Sequence, residues 1–328
     1  MSKEDLEKIA RLESRLKQHL IIPVREVEPS PFASILLLLP DTSIPLEPTV
    51  GAAAFLAKKC SCSVKLVCMK QNCRDAFKSV RKELERRGVH DVEEHVPEDS
   101  LVNLIVELTR GGQPSLLVVP SPSETVEAAA SMVKLVELLV QKVGFPILII
   151  KKSEVTPQRL LSRVLVLVRE PGEIKACLPT LITICRPNAK ITFLTYIDES
   201  FLKSVEMVSD ALSELTTLEK EKVLSSACNI MEKSFKEVEP ALVERGFKVA
   251  HFIEAGTIDV TAVAGMRKTH AELLVIPVKA TLRPETKPII EEIDASMLIL
   301  PQPPVRRAEG APPAPPKEEE QRGNGGQA

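Results

Sequence analysis

The chain has 328 residues, 44% of them apolar, and 43 basic against 45 acidic side chains leave a formal charge of −2. That length accommodates two domains with separate cores, while the near-balanced charge gives no electrostatic attraction for duplex nucleic acid or an anionic membrane. Aromatics are 3% of the chain and Trp is absent, so stacking platforms for single-stranded bases are not expected, and no nucleic-acid partner is expected.

No apolar run approaches the roughly 18 residues of a membrane span, and the N-terminal stretch MSKEDLEKIARLESRLKQHL is charged throughout, unlike a signal peptide. The expectation is a cytoplasmic protein that is not membrane-inserted. Seven cysteines, an odd count without a secreted framework, fit reduced thiols.

Residues 1–33 read as a helix and a linker. From Ser2 to Leu20, Leu6, Ile9, Leu12, Leu16 and Leu20 fall near one helical face, which either packs on the chain or pairs two chains as a homodimer. Pro23, Pro29 and Pro31 end it.

Residues 34–152 then alternate short Val/Ile/Leu runs with helical stretches: ILLLL, a helix from Pro48 to Lys59, SVKLVCM, a helix from Asn72 to Arg87, VHDVEEHV, a helix from Asp99 to Arg110, SLLVV, a helix from Ser123 to Val143, and PILII. This is the pattern of right-handed strand-helix-strand units on a parallel sheet covered on both faces. After a linker at 153–162 the order begins again over 163–301. RVLVLV, a helix from Glu173 to Cys185, KITFLTYI, helical segments from Glu199 to Glu244, FKVAHFI, a helix from Thr257 to Thr269, ELLVIP, a short helix from Pro288 to Ile293, and MLIL follow in turn. Leu273 to Pro277 repeats Leu116 to Pro120, so the fold class is α/β, with two tandem five-stranded parallel doubly wound domains of Rossmann-like type. The second copy carries about 31 additional residues between its second and third strands, a helical insertion near 199–220. Residues 302–328, with APPAPPKEEE and RGNGG, bury almost nothing and read as a disordered tail.

In such a sheet ligands bind beyond the carboxyl ends of the first and fourth strands, where the crossovers diverge. In the first domain those ends carry Asp41 and Thr42, and Ser121, Ser123 and Thr125. Ser121 with Glu124, and Pro122 between them, make a helix cap or, alternatively, hydroxyls and N–H groups for a phosphate. Asp41 either orients an adenine or ribose or caps the next helix. In the second domain Arg169, Lys279, Arg283 and Lys287 add positive charge for an anion, or are surface charges. Metal chemistry is not expected, because Cys62 and Cys68 stand at opposite ends of one strand, roughly 20 Å apart at 3.3 Å per residue. Cys60 and Cys62 form either a redox or half-metal site or two small buried thiols. No nucleophile elbow, Walker loop, glycine fingerprint or paired catalytic carboxylate is present, so no catalytic residue is nominated.

Two five-strand repeats, Asp41 just after ILLLLP, Tyr196 to Asp198 after a second strand, and LLVVP followed by a helix and FPILIIKK together resemble the universal stress protein family in its tandem form. The resemblance implies the adenine-nucleotide α-hydrolase-like fold with strand order 3-2-1-4-5, and an intramolecular pseudo-dimer joined through the last strands of its halves. ATP-binding members carry Gly, two residues, Gly, nine residues, Gly and Ser or Thr after the fourth strand. Here the matching positions are Pro120, Ser123, Val133 and Lys134, and then Pro277, Ala280, Ile290 and Glu291. Proline lacks the backbone donor, and valine, lysine, isoleucine and glutamate lack the hydroxyl. The expectation is therefore a non-enzymatic stress-protein-like module with no cofactor, regulating a protein partner such as a membrane transporter or responding to a small effector. The alternative is an ATP or AMP sensor using the first domain without the glycine motif. Weak ATPase or nucleotidyl-transfer activity is the enzymatic variant of that alternative.

Overall fold

The computed structural model describes residues 32–40, 46–69, 73–110, 115–121, 126–151, 156–197, 217–279 and 281–302. The expected N-terminal helix, most of the second-half insertion and the C-terminal tail lie outside them. Ten strands form one sheet: β1 (Ser34–Leu39), β2 (Ser63–Cys68), β3 (Val92–His95), β4 (Ser115–Pro120), β5 (Ile147–Ile150), β6 (Arg163–Val168), β7 (Lys190–Ile197), β8 (Lys248–Ala255), β9 (Leu273–Val278) and β10 (Ser296–Pro301). Their order is β3-β2-β1-β4-β5-β10-β9-β6-β7-β8, so each half has the expected 3-2-1-4-5 arrangement. Every pair is parallel except one: β5 and β10 run antiparallel, with Met297 opposite Ile149, Leu298 opposite Leu148 and Ile299 opposite Ile147.

Successive side chains of a strand point to opposite faces, and the apolar runs consequently feed two cores. Ile35, Leu37 and Leu39 enter one core with residues of both halves, while Leu36 and Leu38 enter the other. The first core is covered by α1 (Glu47–Cys60), α2 (Arg74–Arg86), α6 (Pro171–Ile184) and α7 (Thr217–Val243). The second is covered by α3 (Leu101–Leu108), α4 (Val126–Val143), α8 (Ile258–Thr269) and α9 (Lys287–Glu292). A single turn, α5 (Pro157–Leu160), connects the halves. Ala52, Ala53 and Ala54 are buried along α1, and their small side chains bring that helix close to the sheet. It stops at Ser61, whose left-handed backbone lets the Cys62 N–H donate to the Ala57 carbonyl at 3.0 Å.

Lysines from the first half close helix ends of the second on both faces. Lys151, just after β5, donates to the carbonyls of Ile290, Glu291 and Ile293 at the end of α9, and Lys59 at the end of α1 donates to the Cys185 carbonyl that ends α6. A cation at a helix carboxyl end meets both unpaired carbonyls and the negative end of the helix dipole.

One expectation changes. The sulfurs of Cys68 and Cys73 are joined, leaving five free cysteines rather than seven. Cys68 ends β2 and Cys73 precedes α2, and their Cα atoms stand 6.2 Å apart, a disulfide separation.

Two measurements follow. Thiol titration of the unreduced, denatured chain should count five groups, rising to seven after reduction. Lys151→Met should lower unfolding stability in urea by about 1 to 3 kcal/mol, the cost of leaving half-buried carbonyls without a donor.

Candidate functional site

Each half has a switch point. In the first half the helix after β1, α1, packs in one core and the helix after β4, α4, in the other, so the crossovers diverge at these strand ends. Of the residues expected there, Asp41, Thr42, Ser123 and Thr125 lie outside the described residues. Ser121 is described: it follows β4 directly, is half-buried, and its backbone N–H donates to the Ile150 carbonyl at 2.8 Å. Val133, at the third glycine position of the ATP-binding pattern, is buried in the second core and presents nothing to a ligand.

The second switch point, between the ends of β6 and β9, is built from charged residues. After Val168 the chain turns at Arg169 and Glu170, and Pro171 opens α6 with its φ already helical and no N–H to satisfy. Glu173, at the third helical position, folds back over that turn. Its Oε2 accepts the backbone N–H of Arg169 at 2.6 Å and of Glu170 at 3.3 Å. These are the donors that a phosphate would take at a helix N-terminus.

The other carboxylate oxygen of Glu173 accepts from Arg283 Nη2 at 3.0 Å, and Arg283 Nη1 donates to the Tyr196 hydroxyl at 3.3 Å. Arg283 comes from the segment after β9 and Tyr196 from the end of β7, so with the turn after β6 three chain segments meet around the Glu173–Arg283 pair. Glu173 is only 2% exposed. Around this pair are weaker contacts, Lys279 to Glu170 at 3.0 Å and Arg169 to Glu285 at 3.6 Å, which solvent screens.

Burial raises the Glu173 carboxyl above the ordinary carboxylate range, against the opposing pull of the Arg169 N–H and the Arg283 charge. Burial likewise raises the Tyr196 phenol. An entering phosphate would have to displace Glu173 from two N–H groups and a guanidinium together. Pro277 is buried within β9 opposite Leu300, and Ile290 is buried in α9, so neither offers a phosphate donor.

Elsewhere, Thr195 Oγ1 lies 2.9 Å from His251 Nε2, with Thr195 buried, His251 half-buried and its ring stacked on Phe235. A hydrogen bond with Cys62 lowers the Cys60 thiol to about 7, whereas that contact and burial raise Cys62. Among the described residues no three His, Cys, Asp or Glu side chains converge to hold a metal ion.

The sequence reading placed Arg169, Lys279 and Arg283 at this end but took Glu173 only as a helix start. The sequence signal was the run Glu170-Pro171-Gly172-Glu173, in which an acidic third helical residue follows proline, the spacing of a capping box.

No protein-family model matches the chain, and no curated protein matches it. Solved structures do. A universal stress protein from Archaeoglobus fulgidus is 11% identical with a TM-score of 0.55, the match covering 81% of this chain and 96% of that one. A Pseudomonas aeruginosa chain assigned to the universal stress proteins is 16% identical with a TM-score of 0.54, over 83% and 94% respectively. A functionally unknown protein from the same species is 16% identical with a TM-score of 0.53, over 83% and 93%. The likeness is one of fold: the chain has the tandem universal-stress-protein fold.

A raised carboxyl pKa fixes the sign of a pH effect. Protonated Glu173 is tolerated in the fold better than ionised Glu173, so its contribution to stability is fully present below the unfolded pKa and is lost as pH rises through the folded value. Measured by thermal unfolding from about pH 4 upward, the stability of the parent relative to Glu173→Gln should fall as pH rises; a constant difference would contradict the assignment.

Proposed function

We propose that the chain is a non-enzymatic module that works in the cytoplasm by holding a protein partner or a small effector, in a stress response or in the regulation of a membrane transporter. One observation carries this reading: the Glu173–Arg283 pair fills the second switch point from within, using the donors that a nucleotide phosphate needs. A site so filled favours recognition over phosphate chemistry, because nucleotide entry costs the separation of a buried ion pair.

The prolines support the same reading. Pro120 and Pro277 close β4 and β9 where a glycine would let the backbone approach phosphate oxygens, and each is buried. The Thr195–His251 contact does not favour a nucleophile and its base, because Thr195 is buried and the imidazole stacks on Phe235. Among the described residues no helix is long and apolar enough to cross a membrane.

The test is calorimetric titration of the full chain with ATP, AMP and cyclic nucleotides in the presence of Mg²⁺. The expected outcome is no micromolar binding that depends on Asp41 or Ser123. Micromolar binding lost in Asp41→Ala or Ser123→Ala would replace this reading with a nucleotide sensor working through the first half.

A further inference from the structure

A solvent-open cavity of about 660 Å³ lies where α1 meets the turn and loop that begin the second half. It is built at the amino ends of strands, not at the carboxyl ends that carry the switch points. Its walls come from segments that precede strands: Lys58 and Lys59 before β2, Arg87 before β3, Pro157 and Gln158 before β6, and Arg186 before β7. Gly51, Ala54 and Phe55 form an apolar floor along α1. At Gly51 the walls close in, since a Cβ there would stand 3.1 Å from Arg87 Nη1 and 3.4 Å from Pro157 Cγ.

The rim carries four cations and few counter-charges. Arg87 is paired with Glu83 at 2.5 Å and Glu47 at 3.5 Å. Lys58 donates to the Arg87 carbonyl at 3.3 Å and Lys59 to the Cys185 carbonyl, contacts that satisfy helix ends but bring no full negative charge. Arg186 is exposed and pairs with no described carboxylate. Four formal positive charges thus face two negative ones around an apolar floor. Burial lowers the Lys59 ammonium below its ordinary value, so an anion arriving there relieves a charge that the fold holds without a carboxylate.

We propose that this groove binds a small phosphate-bearing anion, its phosphate at Arg186, Lys58 and Lys59 and a flat apolar body on the Gly51 to Phe55 floor. The volume falls in the small-molecule range of about 300 to 1,000 Å³, and convergent cations over an apolar floor supply orientation and burial together. The site is independent of the switch points and does not rest on whether they bind nucleotide.

The experiment is isothermal titration of the full chain with phenyl phosphate at low ionic strength, with inorganic phosphate as the charge-only comparison. Saturable binding at about 1 mM or tighter is expected, inorganic phosphate being at least about threefold weaker. Arg186→Glu, at an exposed position, should weaken phenyl phosphate at least about tenfold by reversing one charge, while Lys142→Glu on the opposite face should change nothing. Asp41→Ala should bind phenyl phosphate like the parent, which separates this site from the first switch point. Absence of saturation up to about 10 mM, equal affinity for inorganic phosphate, or an unchanged Arg186→Glu would each overturn the proposal.

Discussion

The antiparallel pairing of β5 with β10 is the constraint on which the rest of the molecule depends. Both strands are apolar on both faces, and ILII and SMLILP would each be an exposed, aggregation-prone edge in an isolated half. Pairing them covers the two edges at once. It also makes the ten strands one sheet, so each core runs across the junction rather than ending at it. Reversal of direction at this one pair places the carboxyl ends of the two sets of strands on opposite sides of the molecule, which separates the two switch points.

The junction is reinforced by charges that would be costly if unpaired. Lys151 and Lys59 cross from the first half to helix carboxyl ends of the second, one on each face of the sheet. Burial lowers both ammonium groups, so each is held at some electrostatic expense. That expense is offset by carbonyls that would otherwise lack donors. Lys287 adds a further link, to Glu137 at 3.0 Å. Relative motion of the halves would break these contacts together with the strand pair.

Where the fold ordinarily leaves room for a ligand, the second half has put its own carboxylate. Glu173 there occupies the place of an anion, bound by the turn after β6 and by Arg283 from beyond β9. The loops before the strands show the reverse balance, with cations from both halves around an open groove and only Arg87 paired to carboxylates. That groove lies at the junction, where neither half alone supplies a complete wall.

Much of this architecture was legible in the residues. Runs such as ILLLL, LLVVP and LLVIPV are apolar at every position, which only burial on both faces explains, and their alternation with helical segments set the sheet type and the repeat. The exchange of glycine for Pro120 and Pro277 was equally plain, because a proline's missing donor is a local property. The partners were not legible. Glu173 meets Arg283 across 110 residues and Lys59 meets Cys185 across 126, and no periodicity encodes such distances. Cys68 and Cys73 are near neighbours in the chain, yet whether their sulfurs meet depends on how the strand end and the helix start are aimed. The sequence by itself determined which segments must be buried and in what order. Only the tertiary structure decided which charges neutralise one another, because pairing across the sheet, within a half and between halves, brings together groups that the chain keeps far apart.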